Sequence, residues 1–154
     1  MMNPEERLRE LGYELPETPS SLGSYVPFVE TRGLVFVSGL LPLRKGSLIY
    51  TGKIGREITL EQAKECALQV VLNCFSILKA NLGDLNRIGR CIRLNGYLQT
   101  SDDFRDHPLV LNSASDLIVK VFGEKGRHTR IAIGVASLPM NSPLEMDFIW
   151  SLRD

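Results

Sequence analysis

The chain has 154 residues, enough for one ordinary domain that buries a sizeable core without disulfide staples. Lys plus Arg and Asp plus Glu balance at 18 each, a formal net charge of zero, which argues against a dedicated nucleic-acid binder with a basic face for phosphates. The opening MMNPEERLRE lacks an apolar signal core, no apolar run reaches membrane-spanning length, and three cysteines without a Cys-x-x-Cys pair read as buried thiols; the expected location is the cytoplasm.

Asn3-Pro4-Glu5-Glu6 is a helix start: a capping Asn, Pro at the first position and acids in the first turn. Gly12 stops that helix, which spans about residues 4–11 and docks through Leu8, Leu11 and Tyr13. The following ELPETPSSLGS, rich in Pro and small residues, reads as an extended connector rather than a domain boundary. The expected organisation is a single domain over 1–154, with helix and connector in 1–21 and the core in 22–152.

Tyr25 to Thr31 and Leu34 to Leu41 are two strand-like runs separated by Arg32-Gly33, a tight hairpin turn. Pro27 cannot donate to a ladder, so the first run belongs at an edge; the more apolar second run belongs inside. One short strand is expected around Leu48 to Tyr50. Thr59-Leu60-Glu61-Gln62 fits a capping box, and the apolar positions from Ala63 to Leu82 recur at helical spacing before Gly83. Ile88 to Thr100 reads as another strand. A second helix starts near Asp106-His107-Pro108, buries Val110, Ala114, Leu117, Ile118 and Val121, and ends at Gly123; Asn112, Ser115 and Asp116 lie off its apolar stripe.

The stretch Thr129 to Leu152 alternates on both sides of Leu138-Pro139-Met140-Asn141-Ser142-Pro143, which predicts a β-hairpin. Its expected register puts Ile131, Ile133 and Val135 on one face with Met146, Phe148 and Trp150. The other face then holds Arg130, Ala132, Gly134 and Ala136 with Glu145, Asp147 and Ile149. Arg130 and Glu145 would stand roughly 20 Å apart at about 3.3 Å per residue, so a pocket using both needs a neighbouring subunit. Grouped strands with two long helices predict an α+β fold: one mixed sheet with both helices on one face, the other covered by self-association.

Arg130, beside Ala132 and Gly134, suits a bidentate carboxylate contact, or equally a bridge to a nearby acid. Glu145 is able to orient a water, although a strand Glu beside a loop is more often merely solvated. The isolated His107 and His128 make no metal-ligand spacing, Thr51-Gly52-Lys53-Ile54-Gly55 is no phosphate loop, and Cys91 reads as a core thiol.

Gly23-Ser24-Tyr25-Val26, Val37-Ser38-Gly39, Leu94 to Gln99, Asn112, and Arg130-x-Ala-x-Gly-Val-x-x-Leu-Pro followed by Leu144-Glu145-Met146 together resemble the RidA (YjgF/YER057c/UK114) family, over about Leu22 to Leu152. The N-terminal helix and the Gly-Arg-His segment before Arg130 look like a longer subgroup of it. The resemblance implies a chorismate-mutase-like fold and a homotrimer with pockets between subunits. It also implies hydrolysis of reactive enamine and imine acids, such as 2-aminoacrylate and 2-iminobutanoate, to 2-oxo acids and ammonia, without metal or organic cofactor. By the same resemblance Arg130 holds the substrate carboxylate and Glu145 stands near the water and imine nitrogen. Tyr25, Ser38, Gly39, Asn112 and Ala132 match other pocket positions, Ala132 where many short members have Cys and Leu40 where they often have Gln. Two rival functions remain beside the deaminase: a non-catalytic trimer that binds small carboxylates, and an RNA-cleaving or translation-inhibiting protein, the latter disfavoured by the balanced charge.

Overall fold

The structure, a computed structural model, describes residues 2–154. Helix α1 (Pro4–Glu10) is fixed at its start by a reciprocal box: the Glu6 N–H donates to Asn3 Oδ1 at 2.8 Å, and the Asn3 N–H to the Glu6 carboxylate at 3.3 Å. Leu8 is buried and Tyr13 packs on the core, whereas Leu11, expected to dock, is exposed where the helix ends. Strands β1 (Phe28–Thr31) and β2 (Leu34–Leu40) turn through Arg32 and Gly33, with φ of 50° and 77°. Two successive positive φ values match the right-handed twist of a hairpin, and Gly33 takes its share without strain. The single short strand expected near Leu48 to Tyr50 is instead a small hairpin of its own, β3 (Leu43–Arg44) against β4 (Ser47–Leu48).

Helix α2 (Leu60–Leu82) opens on the Thr59/Gln62 capping box and closes at Gly83, as its spacing predicts. It carries much of the core: Ala63, Cys66, Ala67, Val70, Cys74 and Ile77 are fully buried. The connector after α1 lies along it. Ser76 Oγ donates to the Pro16 carbonyl at 2.7 Å, and Lys79 Nζ to the Glu5 carboxylate at 2.8 Å. Strand β5 (Ile88–Gln99) and helix α3 (His107–Phe122) follow, then β6 (Thr129–Val135) and β7 (Leu144–Leu152).

The main sheet has the order β1-β2-β7-β5-β6, with β1 at an edge as expected, although Pro27 lies just before the strand rather than within it. All pairs are antiparallel except β5 and β6, which run parallel and are joined by α3. The hairpin expected from Thr129 to Leu152 therefore does not form: β5 separates β6 from β7. A parallel pair needs a long crossover, and α3 supplies it. The expected faces of β6 are reversed as well. Arg130, Ala132 and Gly134 pair with Leu94, Gly96 and Leu98 on the helix side, while Ile131 and Ile133 pair with Asn95 and Tyr97 on the open side. Met146, Phe148 and Trp150 do face the helices, as expected. α2 and α3 cover one side of the sheet; the other exposes Val29, Phe36, Ile131 and Ile133, each 39–47% accessible.

Candidate functional site

Two groups of the predicted site residues stand in different places. The first surrounds Glu145, at the start of β7. Strand β2 bulges two residues further along β7: Val37 pairs with Phe148 and Leu40 with Met146, so Ser38 and Gly39 together face Asp147. A bulge re-aims side chains next to a site. Here Ser38 Oγ donates to the Val26 carbonyl at 2.7 Å, tying β2 to the chain just after Tyr25, and Gly39 lies against the Glu145 carboxylate. A Cβ on Gly39 would sit 3.1 Å from Glu145 Cδ and nearer still to Oε1, so the close approach needs glycine. Tyr25, Ser38, Gly39 and Glu145 line one cavity of about 510 Å³, whose deeper wall is apolar: Leu40, Leu41, Leu43 and Ile77. The connector closes it from outside with Ser20, Ser21 and Leu22. Burial, and secondarily the carboxylate of Asp147, hold Glu145 above the usual carboxylate range.

Asp147 is satisfied on the open side of the sheet. It accepts from Asn95 Nδ2 at 2.8 Å and Tyr97 Oη at 3.2 Å, and Asn95 Oδ1 in turn accepts from Arg93 Nε at 2.8 Å. Behind this network Gln99, 2% exposed, ties down the segment leading to β7. Its side chain accepts from the Leu138 N–H at 2.8 Å and donates to Asn141 Oδ1 at 2.8 Å and the Gly52 carbonyl at 3.2 Å. Met140 and Asn141, with φ of 59° and 57°, hold left-handed backbone within that segment.

The second group centres on Arg130. Its Nη1 donates to Asn112 Oδ1 at 2.9 Å and to Ser115 Oγ at 3.1 Å, both on α3. These partners are one helical turn apart and so share a helix face. Nε and Nη2 of Arg130 have no protein acceptor among the described residues, which leaves a two-donor edge of the kind that grips a carboxylate. Ala132 follows on the same side of β6. The space beside Gly134 is partly taken: a Cβ there would stand 2.9 Å from His107 Nε2 and 3.3 Å from Thr100 Oγ1.

Ser115 continues to His128, with Oγ and Nε2 2.9 Å apart, and His128 Nδ1 lies 2.6 Å from the Gly126 carbonyl. Neither residue was expected at the site. The signals were Ser115 three positions after Asn112, off the apolar stripe, and His128 two before Arg130. Cys91 is buried, and burial pushes its thiol up to about 12, which removes it as a nucleophile.

One subunit keeps the two groups apart. Arg130 pairs with Leu94 and Glu145 with Tyr97, three residues along β5 and two strand spacings across, or roughly 14 Å in the sheet. They also face opposite sides of it. The separation is shorter than the roughly 20 Å expected from the hairpin and has different causes: an inserted strand and a reversed face add to a shorter offset along the strands.

The family model described as "YjgF/chorismate_mutase-like, putative endoribonuclease" matches residues 5–151. "Protein TCP17" of Trypanosoma cruzi is 40% identical over 96% of this chain and 92% of its own length. A crystal structure from Shewanella oneidensis MR-1, titled a putative endoribonuclease, superposes with a TM-score of 0.94 at 34% identity, covering 98% of this chain and 100% of that one. "Reactive Intermediate Deaminase A, chloroplastic" of Arabidopsis thaliana is 28% identical over 88% of this chain and 63% of its own.

Proposed function

Because the chain belongs to the YjgF/chorismate mutase-like family, which includes the RidA proteins, we propose that it is a deaminase of reactive 2-imino acids. The substrates are enamine/imine acids such as 2-aminoacrylate and 2-iminobutanoate; the products are 2-oxo acids and ammonia. The observation that carries this reading is the Arg130 guanidinium, anchored through Nη1 and open along Nε and Nη2. A relative named for deamination of reactive intermediates adds support.

The working site in this reading is composite: the arginine group of one subunit faces the glutamate group of its neighbour in a homotrimer. The exposed apolar side chains Val29, Phe36, Ile131 and Ile133 on the open sheet face fit such an assembly. Arg130 and Asn112 hold the substrate carboxylate, and the apolar wall around Leu40 and Ile77 takes the side chain. A protonated imine is already electrophilic, so the protein has only to position water and carry a proton. Water adds to C2 while Glu145 takes its proton, giving a carbinolamine. Glu145 then returns the proton to nitrogen, the C–N bond breaks, and the hydroxyl proton leaves with ammonia as the 2-oxo acid forms. Burial makes the Glu145 carboxylate a stronger proton acceptor than an exposed one, which suits that two-way transfer.

The test generates 2-iminobutanoate in place with a PLP-dependent threonine dehydratase and follows 2-oxobutanoate. Wild type in catalytic amount accelerates release over the spontaneous background, and Arg130→Ala does not. Release at the background rate with wild type, while 2-oxobutanoate still binds, would make this a carboxylate-binding protein instead. A monomeric mass by light scattering would sink the composite site.

A further inference from the structure

The arginine group contains two side chains that the proposed reaction does not use, and with His128 neutral their hydrogen atoms follow by elimination. The Gly126 carbonyl only accepts, so His128 carries a proton on Nδ1. In the neutral ring Nε2 is then an acceptor, and Ser115 Oγ–H donates to it. That leaves an oxygen lone pair on Ser115 facing Arg130, which donates to it. The chain runs one way, from Arg130 Nη1–H to Ser115, from Ser115 to His128, and from His128 to Gly126. Every donor in it meets one acceptor. Its far end is closely packed: a Cβ on Gly126 would meet the Ile118 carbonyl oxygen at 2.6 Å, so the glycine backbone lies directly against α3.

We propose that Ser115 and His128 are positioning residues for Arg130, fixing the guanidinium so that its Nε–Nη2 edge is presented to a substrate carboxylate. The proposal rests on the carboxylate role of Arg130 given above and deepens it. Asn112 alone would hold Nη1 at one point and leave the guanidinium free to swing about it. Two acceptors on one nitrogen set both direction and rotation. The neutral ring matters, because a protonated His128 would donate from Nε2 to the oxygen that already accepts from Arg130, and the Ser115 proton would lose its acceptor. Around the ring stand Arg130 of β6, Asp116 and Lys120 of α3, and Arg127 in the segment before β6. Burial, aided by the Arg130 charge, lowers the basicity of His128 against the opposing bond to Gly126, in keeping with the neutral form.

The test is a double-mutant cycle on 2-oxobutanoate binding, followed by NMR titration, with turnover of 2-iminobutanoate measured beside it. Ser115→Ala and His128→Ala each weaken binding about tenfold, the scale of one hydrogen bond to a charged group, and raise KM alike with kcat nearly kept. Ser115→Thr, which keeps the hydroxyl, restores both. In an Arg130→Ala background neither substitution changes the residual binding, because the group they hold is gone. Wild-type KM rises as pH falls through the titration of His128, below its ordinary 6.5, and in His128→Ala that rise is absent. Equal losses with and without Arg130, or unchanged binding in folded variants, would overturn the positioning role. If wild type binds the oxo acid with full coupling but hydrolyses no imine, the deaminase reading fails and the positioning role stands. If wild type turns over the imine while the cycle is additive, the reverse holds.

Discussion

Replacing Gly39 by Ala moves the Glu145 carboxylate without removing it. The new Cβ would lie 3.1 Å from Cδ and 3.4 Å from Cγ, with Oε1 closer still, so the carboxylate must retreat by on the order of 1 Å to regain ordinary contact. A misplacement of that size in a catalytic group costs about a hundredfold in rate, or about 2.7 kcal/mol of barrier. Stability hardly changes, for two reasons. Gly39 is not among the residues with positive φ, so alanine fits the backbone, and the obstacle is the end of a flexible side chain. The entropy that alanine removes from the unfolded chain contributes about 0.4–1 kcal/mol in the opposite direction to any residual crowding. The assay is kcat for 2-iminobutanoate hydrolysis in wild type, Gly39→Ala, Glu145→Gln and the double variant, with thermal melts of each. Expected are a kcat about a hundredfold lower in Gly39→Ala, a melting temperature within a few degrees of wild type, and little further loss on adding Glu145→Gln. A Gly39→Ala enzyme with wild-type kcat would refute the reasoning. So would a loss matched by general unfolding.

Three further outcomes follow from the same geometry. Gly96→Ala drives a methyl into the Leu111 side chain, whose Cδ2 would stand 3.0 Å away inside the core; it lowers stability by about 1–3 kcal/mol, read as a lower urea midpoint at unchanged slope. Gln99→Leu removes the acceptor of the Leu138 N–H and the donor to Asn141 and Gly52, and lowers stability by about 2–4 kcal/mol in the same assay. Glu145 titrates higher in the folded protein than its unfolded value of 4.5, so the folded state binds more protons between the two values and stability falls as pH rises through that window. Glu145→Gln therefore gains stability relative to wild type on going from below 4.5 to neutral pH; a difference in urea midpoint that is flat with pH would contradict the shift.

Local chemistry in the sequence carried the helices. The caps at Asn3 and Thr59 and the glycine stops at Gly83 and Gly123 bound them as read, because capping depends on neighbours a few residues away. The turn at Arg32-Gly33 was legible for the same reason. The hairpin from Thr129 to Leu152 was not. Alternation says which residues share a face, yet it does not say which strand lies alongside, and β5 pairs with both candidates. The reversal of β6 has a related origin. Assigning Ile131 and Ile133 to the core assumes that apolar means buried within one subunit, whereas α3 claims the other side of β6 for Arg130. The motif residues fall into two spatial groups, one around Glu145 and one around Arg130, a division that their order in the chain does not reveal. Ser115 and His128 were marked only by their places beside Asn112 and Arg130; the hydrogen bond that joins them spans thirteen residues, and no spacing rule covers that link.

The position of β7 has a consequence for how the protein is made. It follows every other strand in the chain yet lies at the middle of the sheet, between β2 and β5. As the chain leaves the ribosome, the β1–β2 hairpin and the β5–α3–β6 unit emerge first, each with an open edge and no ladder between them. Such edges are sticky until they are paired. Insertion of β7 closes both at once and joins the two parts, with contacts spanning more than a hundred residues from β2. Glu145 rides on that strand. The segment that completes the sheet thus also delivers the acid, and a chain stalled before it presents Arg130 with no glutamate to offer a neighbour.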